Sequence, residues 1–460
     1  MKKYCAILLI LVCSINLFSV MAYADQEATG GCWGLFADQT LMKDTLYDGS
    51  AKAVMLFERN TNTLVYAYNP DMKINPTGLV KLLTALIAFE EGNLKDIVTV
   101  KRSTLNSISA GAVSAGLKSG EEMMLEDLLY CVMVSSANDA AAVVAEHVAG
   151  SQAAFVEKMN ARAATLGCVN TNFTNVHGLQ DERQYSTARD MAVIVADALK
   201  NEKFAYYFGV TEHTVAATNS TSARHLTTTN YMMNPDSVYY DSRVTGGKPA
   251  AATSSDRSII CTAKLDSSEY LCVVISAKAK MSGNAVTRYT NFDEAKKLLD
   301  MGFEEFAVQQ VVGTQQPFGI YAVSGGENHV VVAPRNDVYA LLPLNFSVEQ
   351  LQFHDIRDES MLHAPIETGV AVGSLRIYFE SVLIGEVELI ACHDVALLGT
   401  GILSGDLNTS RSIGIGGILI FVGVPVLFMV FMTIVVLPFV KHRRVRRGHN
   451  KTATNQRGER

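Results

Sequence analysis

Pro76-Thr-Gly-Leu-Val-Lys-Leu-Leu-Thr-Ala-Leu-Ile-Ala-Phe89 decides the fold of this chain. Pro76 leads into a helix predicted from about Leu79 to Glu91. Leu79, Leu82, Leu83, Leu86, Ile87 and Phe89 cover nearly its whole circumference. A helix that is apolar all round belongs inside a core, not on a surface. Lys81 is the one charge in the twelve residues from Gly78 to Phe89. A buried, unpaired ammonium is costly, which leaves two readings. Its stem lies along apolar surface while its head reaches water, or the lysine is held in a cleft as a base.

Working outward, Val54–Phe57 and Thr63–Tyr66 read as two short strands joined by the polar turn Glu58–Asn62. Leu125–Val134 and Ala140–Val148 read as helices broken at Ser135-Ser-Ala-Asn-Asp139. Gln152–Leu166 and Ala188–Leu199 are further helices, Ser258–Ala263 and Tyr270–Ser276 are adjacent strands, and Asn291–Met301 is a closing helix. Strands, then helices, then strands predict an α/β (α+β) body with a helical cluster against a sheet. From Phe303 short alternating runs recur, such as Val330–Ala333, Val338–Leu342 and Leu375–Phe379, and they predict a small all-β domain.

The ends carry export signals. Lys2 and Lys3, the apolar stretch Ala6–Val20 and Ala22-Tyr-Ala24 form a secretory signal over 1–24. No charge occurs from Ile413 to Val440, long enough to cross a bilayer, and the run Lys441-His-Arg-Arg-Val-Arg-Arg447 follows. The expected order is a body over 25–302, a β domain over 303–395, a linker over 396–411, a transmembrane helix over 412–440 and a basic cytoplasmic tail over 441–460. The body then lies on the extracytoplasmic face of a single-pass membrane protein, and the tail has anionic lipid as its nearest partner.

Setting aside the tail's eight basic residues and one glutamate, and the two signal lysines, leaves a net charge of −16. An acidic exported part argues against nucleic acid as a partner. Cys32, Cys131, Cys168, Cys261, Cys272 and Cys392 are too sparse for a disulfide scaffold. Cys131, Cys168, Cys261 and Cys272 sit in apolar runs, as buried free thiols do. No spacing of His and Cys suggests a metal, and nothing calls for a cofactor.

Ser136-Ala-Asn138 places a hydroxyl and a carboxamide on a tight turn between two apolar helices, a pattern shared with an ordinary helix N-cap. His177 in Asn172-Phe-Thr-Asn-Val-His-Gly-Leu179 reads as a structural loop histidine. Pro76–Lys81, Ser136–Asn138, Thr171–Leu179 and Gly247-Lys248 occur in one order. Leu125-Glu-Asp-Leu-Leu-Tyr130 and Ser186-Thr-Ala-Arg-Asp-Met-Ala192 accompany them. Together they resemble the serine-type D-Ala-D-Ala carboxypeptidases, the low-molecular-weight penicillin-binding proteins, which carry S-x-x-K, S-x-N and K-T-G around one cleft. Ala364–Gly373 and Leu383–Leu389 are similar to that family's C-terminal β domain.

The resemblance implies catalytic roles for Lys81, Ser136, Asn138 and Lys248, an oxyanion hole from the backbone N–H groups of Gly78 and Ala251, and a peptidoglycan stem peptide as substrate. It also exposes two departures. Gly78 stands at the nucleophile position and has no oxygen to acylate. Pro249 and Ala250 follow Lys248 where the family keeps Thr and Gly, and that Thr would bind the substrate's carboxylate. A competing alignment at Val244-Thr-Gly246 keeps Thr and Gly but loses the lysine and needs a gap. The departures imply a pseudoenzyme that binds muropeptide or a wall-synthesis protein. The alternatives are an active carboxypeptidase using Thr77 or a water held by Lys81, and a purely structural surface protein with a vestigial cleft.

Overall fold

The computed structural model describes residues 40–42, 47–314, 316–326 and 329–398. The expected signal (1–24), transmembrane helix (412–440) and tail (441–460) lie outside these residues, as does Cys32. Among the described residues no helix is long and apolar enough to cross a membrane.

Five strands form one antiparallel sheet: β1 (Ala53–Glu58), β2 (Thr63–Tyr68), β3 (Val244–Ala251), β4 (Asp256–Leu265) and β5 (Ser268–Lys278), in the order β2-β1-β5-β4-β3. Side chains alternate faces along a strand. In β1, Ala53, Met55 and Phe57 enter one core, while Val54 and Leu56 enter a second. In β5, Leu271, Val273 and Ile275 join the first, and Tyr270, Cys272 and Val274 the second. Both faces are covered, so these strands are continuous apolar runs without polar alternation.

On the first face lies α1 (Val80–Glu91), surrounded by α2 (Leu125–Met133), α3 (Asn138–Ala149), α4 (Gln152–Thr165) and α5 (Ala188–Ala198). Every residue of α1 from Val80 to Phe89 is buried, Lys81 included. Each large aliphatic side chain there contributes about 1.5–3 kcal/mol through burial. On the second face packs α6 (Thr290–Glu305).

The helix expected from Leu79 begins differently. Thr77–Leu79 is a 3-10 turn that feeds directly into α1. α3 starts at Asn138, earlier than expected, with Ala137 at its N-cap and no side-chain capping bond. The N-cap reading of Ser136-Ala-Asn138 therefore does not hold, because Asn138 turns its carboxamide elsewhere. A short helix, Glu202–Phe208, was not anticipated; its run Phe204-Ala-Tyr-Tyr-Phe208 carries no clear period.

α6 continues to Glu305, slightly past the expected boundary at 302/303, and passes straight into strand. There β6 (Phe306–Val312) pairs with β9 (Val338–Pro343). A second five-stranded antiparallel sheet has the order β7-β8-β12-β11-β10, from β7 (Gly319–Tyr321), β8 (Val330–Pro334), β10 (Leu351–Arg357), β11 (Ala371–Phe379) and β12 (Val382–Ala391). The second core runs from the back of the first sheet into this all-β part. Leu398 N–H still donates to the Gly325 carbonyl at 2.7 Å, so the first residues of the expected linker are bonded to the β part.

Candidate active site

The cleft forms where three elements meet: the 3-10 turn ahead of α1, the α2–α3 junction, and β3, which is the edge strand of its sheet. In a 3-10 turn residues three apart eclipse one another. A Cβ built on Gly78 would consequently face Lys81, with 3.7 Å to Nζ, 3.8 Å to Ser136 Oγ and 3.4 Å to the Ala250 methyl. These are ordinary contact distances, and Gly78 lacks the positive φ that would force a glycine there. A side chain at 78 would fit and would point into the cleft.

Lys81 is 2% exposed, so it does not snorkel to the surface. Its ammonium donates to Asn138 Oδ1 at 2.8 Å and to the His177 carbonyl at 2.5 Å. Burial pulls its pKa down to about 7, opposed by the nearby Asp139 carboxylate. At that value the lysine is available as a base near neutral pH. Asn138 is fixed in turn: its Nδ2 donates to the Val113 carbonyl at 2.9 Å. Asp139 accepts from Ser114 Oγ at 2.6 Å and from the N–H groups of Ala115 and Leu117, which pins that loop beside the cleft. Ser136 holds a φ of +60, a conformation rare outside glycine. Among the described residues its hydroxyl has no hydrogen-bond partner.

Lys248 is 1% exposed. Its ammonium crosses from β3 to the carbonyls of Val132 and Met133, at 3.0 and 3.2 Å, in the last turn of α2. Burial, then the Lys81 charge, hold its pKa well below the usual lysine range. Val244–Gly246 lie at the other end of β3, where Thr245 Oγ1 bonds Thr262 Oγ1 at 2.8 Å. The lysine that joins the cleft is thus Lys248. Pro249 sits on an edge strand, where the lack of an N–H is tolerated, and Ala251 ends β3 opposite Arg257.

His177 is buried with its pKa lowered to about 4, by burial and then by the Lys81 charge. Its ring accepts from Leu179 N–H at 3.2 Å, a structural bond, while its carbonyl supplies Lys81. The following Gly178 has a φ of +81, and a Cβ there would stand 1.8 Å from the Thr77 carbonyl oxygen. Only glycine permits that approach. Thr77 itself has a φ of +51, and its buried Oγ1 has no partner among the described residues.

Gly78, Lys81, Ser136, Asn138 and Lys248 are therefore brought together by the fold. Sequence reasoning missed Asp139, the carbonyls of His177, Val113, Val132 and Met133, and the approach of Ala250 to Gly78. Backbone acceptors have no sequence signature; Asp139 could have been suspected from its place directly after Asn138. Among the described residues no cluster of His, Cys, Asp and Glu is placed to hold a metal. Cys131, Cys168, Cys261 and Cys272 are buried free thiols, and Cys392 is free and exposed.

An edge strand, a buried lysine on the first turn of a central helix and a Ser-x-Asn turn define a penicillin-binding fold, and residues 39–279 match the D-alanyl-D-alanine carboxypeptidase family. The chain belongs to that family. Residues 310–396 match the C-terminal domain of penicillin-binding protein 5. The D-alanyl-D-alanine carboxypeptidase DacF of Bacillus subtilis is 26% identical over 367 residues, covering 79% of this chain and 90% of that protein. DacA of Escherichia coli, also a D-alanyl-D-alanine carboxypeptidase, is 25% identical over 357 residues, covering 75% and 83%. Penicillin-binding protein 5 of Haemophilus influenzae superposes with a TM-score of 0.62 at 25% identity, covering 77% of this chain and 100% of that structure.

Proposed function

We propose that this chain is a D-Ala-D-Ala carboxypeptidase homologue of peptidoglycan metabolism that has lost acyl transfer and binds the stem peptide, or a wall-synthesis protein, in the surviving cleft. One observation carries the reading. The Cα of Gly78 is aimed at Lys81 and Ser136 as a nucleophile's would be, and it bears only hydrogen. Without an oxygen there no acyl-enzyme forms at this position. Binding does not need that atom, because loss of a nucleophile removes most of the rate but leaves substrate recognition. Against Thr77 as a substitute stands its buried Oγ1, which makes no hydrogen bond with Lys81. The signal and span patterns support a body on the outer face of the cell membrane with the tail inside.

The test uses the full-length chain with a fluorescent penicillin and with diacetyl-L-Lys-D-Ala-D-Ala. We expect no label that survives denaturation and no released D-Ala. Stoichiometric labelling, on Thr77 or any other cleft residue, overturns the reading. Turnover without labelling instead identifies an enzyme that uses water on Lys81. Gly78→Ser alone should release little D-Ala, since Pro249 and Ala250 still offer no hydroxyl and crowd the strand. Adding Pro249→Thr and Ala250→Gly should raise the rate about a hundredfold or more.

A further inference from the structure

The cleft around Gly78 has donors to spare and an acceptor missing. An ammonium carries three donors. Lys81 uses two of them, on Asn138 Oδ1 and the His177 carbonyl, and lies 3.7 Å from where a Gly78 Cβ would be. The Ser136 hydroxyl, without a partner among the described residues, lies 3.8 Å from the same point. The N–H of Gly78 belongs to the first turn of the helix, where backbone donors have no carbonyl inside the helix.

We propose that this cleft selects the trimmed stem peptide: the free C-terminal carboxylate of a peptide ending in one D-Ala seats against Gly78, with one oxygen shared by Lys81 and Ser136 and the other on the Gly78 N–H. The proposal rests on the reading of the cleft as a stem-peptide binder and names which peptide it takes. With a serine at 78, the side chain would fill the space between Lys81, Ser136 and Ala250 that the carboxylate takes. Glycine yields that place. An amide in the same position would turn an N–H toward the ammonium, leaving donor against donor. A peptide ending in D-Ala-D-Ala carries its charge one residue farther on, beside Pro249 and Ala250, which have no side-chain donor.

The charge on Lys81 governs the binding. The groups facing it are Asp139 of α3, His177 of the adjoining loop and Lys248 of β3. Lys81 loses its proton near pH 7 in the free chain. The carboxylate prefers the ammonium, so binding takes up a proton above that pH and affinity falls as pH rises.

The experiment is calorimetry on the full-length chain at about pH 6.5 and about pH 8.5. The probes are diacetyl-L-Lys-D-Ala, its C-terminal amide, and diacetyl-L-Lys-D-Ala-D-Ala. The acid should bind at least about tenfold tighter than either other probe, as a charge-assisted contact does, and weaken at the higher pH with proton uptake. Gly78→Ala, whose methyl fits without a clash, should remove the preference for the acid. Equal binding of acid and amide, or tighter binding of D-Ala-D-Ala, overturns this inference and leaves the stem-peptide reading standing. Failure of all three probes to bind overturns both.

Discussion

The ammonium of Lys248 donates to the carbonyl of Val132 at 3.0 Å, tying the edge strand β3 to the last turn of α2. A cation at a helix C-terminus satisfies carbonyls that have no partner within the helix. The same bond fixes one wall of the cleft against the turn that carries Ser136.

Lys248 therefore has a packing role that can be separated from its charge. Lys248→Ala should destabilise the fold by about 2–4 kcal/mol, through a cavity and two abandoned carbonyls. Lys248→Met fills the volume and removes a buried cation, and should stay within about 1.5 kcal/mol of the parent chain. Urea unfolding of both variants measures the difference. A methionine variant as weak as the alanine one would show that the hydrogen bonds, not the stem, hold β3 in place.

Lys81 makes stability depend on pH in a defined direction. It titrates at about 7 in the folded chain, against 10.5 for an unburied lysine. Between these values the folded chain binds fewer protons than the unfolded one. The contribution of this group thus becomes more favourable as pH climbs through that window, by up to about 1.4 kcal/mol per pH unit. It is least favourable below the folded value. Lys81→Met removes this share of the dependence and leaves that of Lys248. Urea midpoints of parent and variant should diverge in the parent's favour from about pH 7 to about pH 10; a constant gap would mean that Lys81 is not desolvated.

Gly178 offers a backbone test of the same site. Its φ of +81 and the 1.8 Å approach to the Thr77 carbonyl exclude any side chain. Gly178→Ala should lose about 3 kcal/mol or more, because the shelf under Thr77 and Gly78 has to move. Gly283 is the control, with a φ of +58 and nothing within 4 Å. Gly283→Ala should cost only about 1 kcal/mol. Similar losses in the two variants, by thermal or urea unfolding, would show that Thr77 does not rest on Gly178.

Much of the architecture was legible because burial leaves a trace in the sequence. Val54–Phe57 and Tyr270–Ser276 lack polar alternation, yet their short apolar runs already marked them as strands of β1 and β5. The all-round apolar α1 announced an interior helix, and its lone lysine pointed to a cleft. The entry to α1 was not legible. Nothing in Pro76-Thr-Gly-Leu79 distinguishes a 3-10 turn from a first α turn. The turn packs against Gly178, about a hundred residues away in sequence, a range at which local patterns are silent.

Composition and order by themselves determined the family's layout: an apolar lysine-bearing helix, a Ser-x-Asn break, a late lysine on a strand, and no oxygen at residue 78. Those are properties of side-chain chemistry and spacing, and they survive without coordinates. Only the tertiary structure decided that Gly78, Lys81, Ser136 and Ala250 share one cleft, and that Lys81 and Lys248 are desolvated and held by carbonyls. The physical reason is that desolvation and backbone hydrogen bonding come from residues distant in sequence, so a lysine's charge state is a property of its surroundings and not of its name.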